Sequence, residues 1–188
     1  YNRPQMLREA VASVLAQTYR PIEIIIADDG STDGAGQAAD ELASAHPGVV
    51  LTVHNPNRGP GPAREAGRQL ARGEFIQYLD SDDLLAPRKF EAQVQLLKGN
   101  PDCGIAYGIA RLVDMRGNVL KEPFKLTGGT AESLFPGLLV DRWWCTHTPL
   151  YRRSLTDAIG AWSDLRYSQD WEYDGRAGAL KTRLVNCA

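Results

Sequence analysis

Apolar positions along the chain follow two alternating rhythms. From Pro4 to about Thr18, Met6, Leu7, Ala10, Val11, Val14 and Leu15 recur at helical spacing, and Pro4 suits a first turn. After Pro21 the β-branched run "IEIIIA" is short enough for a buried strand. "DDGSTD" reads as a turn, and Asp33 is placed to cap a helix lined on one face by Ala35, Ala38, Ala39, Leu42 and Ala43. "HPG" ends that helix and "VVLTVHN" is the next strand. The loop "PNRGPGP" leads into the helix "AREAGRQLAR", closed by Gly73, and "EFIQYLD" is a third strand. Pro87 opens a further helix with Phe90, Val94 and Leu97 on its buried side. Strands and helices joined by short connections predict an α/β unit with a mainly parallel sheet.

The second half is less regular. "CGIAYGIARLVDMRGNVL" predicts a strand followed by a hairpin turned at "RGN". "TAESLFPGLLV" reads as a helix, awkwardly interrupted by Pro136. "TPLYRR" predicts a short strand, "SQDWEYDGRAGAL" a helix, and the last residues, "TRLVNCA", a strand. An opening on a helix start and an ending on a strand lead us to expect sequence missing at both ends.

Composition narrows the classes. With 188 residues, 43% hydrophobic and 23% charged, the chain is expected to fold as one globular domain spanning 1–188. A formal net charge of −2 gives no overall pull toward nucleic acid or anionic membrane. No apolar run approaches the roughly 20 residues of a membrane span, and no signal peptide is visible. Cys103, Cys145 and Cys187 lack a C-x-x-C spacing, and His46, His54 and His147 lack metal-ligand spacing, so free thiols in a reducing compartment are expected and zinc is not.

Charge placement carries the chemistry. In a parallel α/β sheet, ligands gather beyond the carboxyl ends of the strands. Two acidic clusters fall there: Asp28 and Asp29 after "IEIIIA", and Asp80, Asp82 and Asp83 after "EFIQYL". Carboxylates two residues apart in extended chain stand about 7 Å from each other and repel by about 2 kcal/mol at an effective dielectric of about 20. A divalent cation turns that cost into attraction, and hard ions such as Mg²⁺ or Mn²⁺ combine one or two protein carboxylates with ligand phosphate oxygens. The plainer alternative is that Asp82 or Asp83 caps the helix after Pro87.

Taken in order, "YNRP…SVLAQTYRPIEIIIADDGSTD", "NRGPGPAREAG", "GEFIQYLDSDD" and "RYSQDWEYDGRAG" resemble the family 2 nucleotide-sugar glycosyltransferases. The likeness runs over nearly the whole chain and is densest from Tyr1 to Pro87. It implies a three-layer α/β GT-A fold (nucleotide-diphospho-sugar transferase), with residues 1–100 serving the donor and 101–188 the acceptor. By the resemblance, Asp29 accepts from the nucleotide base, Asp28 supports the turn beside it, and Tyr1 stacks near the base. Asp80 turns toward the ribose or sugar with Ser81 beside it, Asp82 holds Mg²⁺ or Mn²⁺ together with Asp80, and Asp83 lies behind them. Arg64 corresponds to a recurrent arginine near the donor. Glu65 departs from the family's A-R-N-x-G pattern, which leaves the local donor contacts open.

Asp170 in "QDWEYD" matches the position of the family's base, with Glu172 and Asp174 as nearby alternatives. An acceptor hydroxyl is a poor nucleophile until its proton is taken, so an inverting single displacement needs a carboxylate opposite the leaving diphosphate. Trp143, Trp144, His147 and Trp171 are weaker candidates for an acceptor wall, with core packing the alternative for the tryptophans. The expected partners are a nucleotide-diphosphate sugar and an acceptor glycan, lipid-linked sugar or other hydroxyl compound. The location expected is cytoplasmic, with any membrane association carried by further sequence. Rival readings are a degenerate donor-binding domain without turnover and a sugar nucleotidyltransferase, which lacks here its activating glycine- and lysine-rich loop. A dinucleotide-binding reading of "GPGPAREAG" fails because Arg64 stands where its third glycine belongs, and no G-K-[ST] supports a P-loop.

Overall fold

The structure, a computed structural model, describes residues 3–114 and 116–187. Helix α1 (Pro4–Leu15) precedes strand β1 (Ile24–Asp28), and α2 (Ala35–Ala45) precedes β2 (Val50–His54). Then come α3 (Pro60–Leu70), β3 (Phe75–Gln77), α4 (Lys89–Gly99) and β4 (Cys103–Gly108). A hairpin of β5 (Leu112–Val113) and β6 (Val119–Lys121) follows, and a long irregular segment leads to β7 (Leu150–Arg152). Helices α5 (Arg153–Ile159) and α6 (Gln169–Ala179) and strand β8 (Arg183–Cys187) complete the order.

β1 and β2 pair in parallel, residue for residue from Ile24–Val50 to Asp28–His54. A second sheet runs β3-β7-β4-β8, in which β4 and β8 are parallel while β7 is antiparallel to both β3 and β4. The sheet is therefore more mixed than the strand–helix alternation implies, because β7 enters from the irregular segment and not from a crossover helix.

Period-2 alternation assigns each strand two faces. Ile26 packs with Val11, Ala39 and Val50 under α1 and α2, whereas Ile25 and Ala27 face Gly67 of α3. Ala106 and Leu150 pack under α4 with Val94 and Leu97, while Ile105, Tyr107 and Tyr151 join the opposite layer with Tyr173 of α6. Helices thus cover both faces of the strands, giving three layers.

Three local expectations change. "TAESLFPGLLV" forms only a 3₁₀ turn at Gly137–Leu139, since Pro136 has no N–H to continue a helix and disfavours helical backbone before it. α3 stops at Leu70 with Ala71 extended, and Gly73 instead donates its N–H to Glu23 at 2.8 Å. Asp33 accepts from the Ala35 N–H at 3.1 Å, although the residue in the N-cap position is Gly34 in the left-handed region.

Candidate active site

A cavity of about 1020 Å³ opens between β1 and β3, lined along its length by Ile24 to Asp29 and by Phe75 to Asp82. These two strands end their separate sheets and lie across the cavity from each other. Asp28 and Asp29 from the first acidic cluster and Asp80 and Asp82 from the second therefore line one cavity. Gly30 makes the first turn possible: its φ is +71°, and a Cβ there would stand 2.8 Å from the Asn57 nitrogen. Asp28 supports this turn, accepting from the Ser31 N–H at 3.2 Å and facing His54 Nδ1 at 3.3 Å. Burial alone raises the Asp28 carboxyl, but the Ser31 and His54 hydrogen bonds outweigh it and hold it below the ordinary value. Asp29 accepts from the backbone N–H groups of Arg58 at 2.8 Å and Gly59 at 2.9 Å, which ties the β1 turn to the loop before α3. A carboxylate offers about four lone pairs, so two amides leave Asp29 capacity toward the cavity.

At the end of β3, Asp80, Ser81 and Asp82 line the same cavity, together with Arg64 from α3. Arg64 Nη2 donates to Asp80 Oδ1 at 2.5 Å, and the guanidinium lies 5.0 Å over the Trp162 ring. Among the described residues, Arg64 Nη1 is buried without a hydrogen-bond partner, a donor left open in a cavity wall. Asp82 pairs with Arg3 at the start of α1. The first turn of α4 is served by Gln17, whose Oε1 accepts the Phe90 N–H at 3.0 Å, and Arg88 stands in the N-cap position, so that duty falls to neither Asp82 nor Asp83. Gly61 is needed for close approach, because a Cβ there would fall 1.9 Å from the Ser163 carbonyl oxygen. Glu65, the departure from the family pattern, accepts from Arg68 and from the Trp162 N–H at 3.2 Å and so ties α3 to that same loop.

As to a cation, the described residues hold no group of three or more metal-ligating side chains. Asp80 and Asp82, two positions apart, carry hard oxygens of the kind Mg²⁺ or Mn²⁺ takes together with ligand oxygens, and here they pair with Arg64 and Arg3.

Asp170 lies in the first turn of α6, beside Gln169, which lines the cavity. Ser168, in the N-cap position, makes no side-chain cap, and the first-turn N–H of Trp171 is instead accepted by Asp170 itself. Asp170 Oδ2 meets Arg142 Nη1 at 2.8 Å and the Thr146 hydroxyl at 3.4 Å; Oδ1 accepts the Trp171 N–H at 2.8 Å. The irregular segment around 142–148 also joins the D-x-D loop, since His147 Nδ1 is 2.6 Å from Asp83 Oδ2. One strap thus touches both the loop of Asp80–Asp83 and the first turn of α6. Glu172 is held by Arg176 at 2.6 Å, and Asp174 is buried at 1% exposure.

The tryptophans divide. Trp144 is 1% exposed and donates to Asp174 at 2.9 Å, which makes it core. Trp143 stacks on it at 5.4 Å and borders a separate cavity of about 390 Å³ with Phe135 and Pro136, away from the carboxylates. Trp171 is 39% exposed, with its ring nitrogen bonded to the Leu138 carbonyl, and keeps a face toward solvent. Tyr1 lies outside the described residues. Sequence reasoning passed over Arg142, Thr146 and Arg3; nothing in their local spacing marks them, and only the fold brings them to carboxylates.

The three layers, with helices on both faces of the strands and acidic residues at the ends of β1 and β3, are those of the GT-A fold. The chain belongs to glycosyl transferase family 2, whose family model matches residues 1–159. An uncharacterised glycosyltransferase of Nostoc sp. is 36% identical over 107 residues, covering 57% of this chain and 33% of the relative. One from Haemophilus influenzae is 35% identical over 121 residues, covering 64% of this chain and 48% of its own length. The chain thus spans less than half of these curated relatives. Among solved structures, S. aureus TarS 1-349 aligns with a TM-score of 0.79 at 22% identity, over 99% of this chain and 55% of that one. The mannosyltransferase PcManGT from Pyrobaculum calidifontis, solved with GDP-Man and Mn²⁺, aligns with a TM-score of 0.70 at 19% identity, over 99% and 52%. Among the described residues, no helix is long and apolar enough to cross a membrane.

Proposed function

We propose that this chain moves a sugar from a nucleotide-diphosphate donor to an acceptor hydroxyl, with inversion at the anomeric carbon and dependence on a divalent cation. The observation that carries this reading is the convergence of Asp28, Asp29, Arg64, Asp80 and Asp82, from three separate segments, on one cavity. The nucleotide lies toward Asp29, and Arg64 Nη1 offers its vacant N–H to a donor oxygen. Asp82, with Asp80, holds Mg²⁺ or Mn²⁺, which when bound offsets the negative charge of the two phosphates. In a relative of the same fold, PcManGT, the named ligands are GDP-Man and Mn²⁺, and TarS has been solved with UDP and with UDP-GlcNAc.

Asp170 serves as general base. It takes the acceptor's hydroxyl proton while the acceptor oxygen bonds to the anomeric carbon, and the bond from that carbon to the diphosphate breaks. The electron pair leaves with the nucleoside diphosphate. Orientation of the two reactants supplies much of the remaining acceleration.

Calorimetric titration tests the donor side. UDP or GDP binds at least about tenfold more tightly with Mn²⁺ than with chelator, a difference of about 1.4 kcal/mol, and Asp82→Ala abolishes the gap. Equal affinity for both nucleotides in both conditions overturns the cation assignment.

A further inference from the structure

Asp170 and Asp174 are four residues apart on α6 and so share a helix face, where two like charges repel. Arg142 lies between them: its Nε donates to Asp174 Oδ2 at 2.8 Å and its Nη1 meets Asp170 Oδ2 at 2.8 Å. The inner carboxylate is fixed from every side. Trp144 Nε1 donates to its Oδ2 at 2.9 Å and the Tyr151 hydroxyl to its Oδ1 at 2.9 Å, at 1% exposure. Arg142 itself is only 7% exposed, and Asp174 already answers its charge. The contact with the partly open Asp170 is therefore additional to what burial of the guanidinium requires.

That contact sorts the two oxygens of Asp170. Oδ2 is engaged inward by Arg142 and Thr146, while Oδ1 accepts one N–H, that of Trp171, and keeps lone-pair capacity. A base needs one oxygen free and aimed, since small misplacement costs large factors in rate.

We propose that Arg142, anchored on Asp174, is the positioning residue of the base, a planar fork that holds Asp170 with Oδ1 presented to the acceptor. The inference rests on the reading of Asp170 as base. Arginine is required because one guanidinium spans two carboxylates in fixed geometry, whereas an ammonium on a flexible stem does not. Arg142→Lys keeps the buried positive charge and removes the fork.

The test measures release of nucleoside diphosphate with water as acceptor, using whichever of UDP-GlcNAc, UDP-glucose and GDP-Man most raises the melting temperature with Mn²⁺. Arg142→Lys lowers turnover at least about tenfold and leaves the donor KM within about twofold. In the Asp170→Asn background the same change costs nothing further, because residues acting as one unit are not additive. Asp174→Asn, which preserves shape, repeats the pattern with a smaller loss and serves if Arg142→Lys does not fold. Undiminished turnover in both variants, or an equal loss with and without Asp170, overturns the positioning role. Wild-type turnover in Asp170→Asn alone overturns the base itself, a separate result.

Discussion

The first hundred residues and the remainder keep their polar groups in opposite places. Around β1 and β2 the core is small and aliphatic, with Val11, Ile26, Ala39 and Val50 at its centre, and the carboxylates stand at a cavity rim. Beyond residue 100 the core is aromatic, with Trp162 stacked on Tyr173 at 4.0 Å and Trp143 on Trp144 at 5.4 Å, and it encloses the charged pair Arg142–Asp174. Rim charges are completed by water, counter-ions or ligand. Enclosed charges must be completed by the chain itself, because an unpaired buried polar group costs more than a paired one returns. The first region is thus arranged to exchange partners and the second to hold them.

The largest test of this contrast is a truncation in the aromatic layer. Tyr173→Ala removes a fully buried ring stacked on Trp162 and strips the Tyr78 hydroxyl of its partner at 3.2 Å. Urea unfolding is expected to register a loss of about 3–5 kcal/mol, against about 1 kcal/mol for Ile26→Val in the aliphatic layer. Comparable losses from the two would erase the distinction.

A medium effect belongs to the seam between the regions. Lys89 of α4 donates to Gln77 and to Gln93 at 2.6 Å, and those glutamines bond the His147 and Thr148 carbonyls. Burial pushes the Lys89 ammonium down to about 7, with nearby Cys187 opposing. An unfolded lysine stays protonated to about 10.4, so between about 7 and 10 the unfolded chain holds a proton the folded chain lacks. Stability therefore rises with pH across that window by at most about 1.4 kcal/mol per pH unit, and the full penalty applies below it. Chemical unfolding of wild type and Lys89→Met at pH 6 and 9 checks this: the variant gains most at pH 6, and parallel pH dependence of the two refutes it.

The smallest effect is at the rim. His54 faces Asp40 at 2.9 Å and Asp28 at 3.3 Å, and these hydrogen bonds raise its pKa above the ordinary value, Asp40 contributing most. Its contribution to stability is full below about 6.5 and fades as pH climbs through the folded-state value. Proton NMR of the exposed imidazole shows a midpoint above about 6.5, and Asp40→Asn brings it down. An unchanged midpoint would remove Asp40 from the account.

Legibility followed the range of the interactions. "IEIIIADDGSTD" states its strand, its turn and its acidic end within twelve consecutive residues, and Ile24–Asp28 and the turn at Gly30 follow that pattern, while Asp33 bonds the Ala35 N–H from one place before the N-cap position. "TAESLFPGLLV" misled because apolar spacing outweighed one proline in the reading, while in the chain the missing N–H of Pro136 decided the matter. Trp143 and Trp144 favour core over wall only slightly in the sequence, since a sequence does not say which side of a loop faces inward.

The chain's letters alone determined the strand–helix order and the acidic strand ends, because periodicity and turn chemistry act between neighbours a few residues apart. Tertiary structure alone decided that Arg64 meets Asp80, that His147 meets Asp83, and that Arg142 bridges Asp170 and Asp174. Those partners lie from sixteen to sixty-four positions apart along the chain. A charge's partner across such distances is set by which surfaces the packed layers bring within hydrogen-bond reach, a property of the fold and not of any local run of residues.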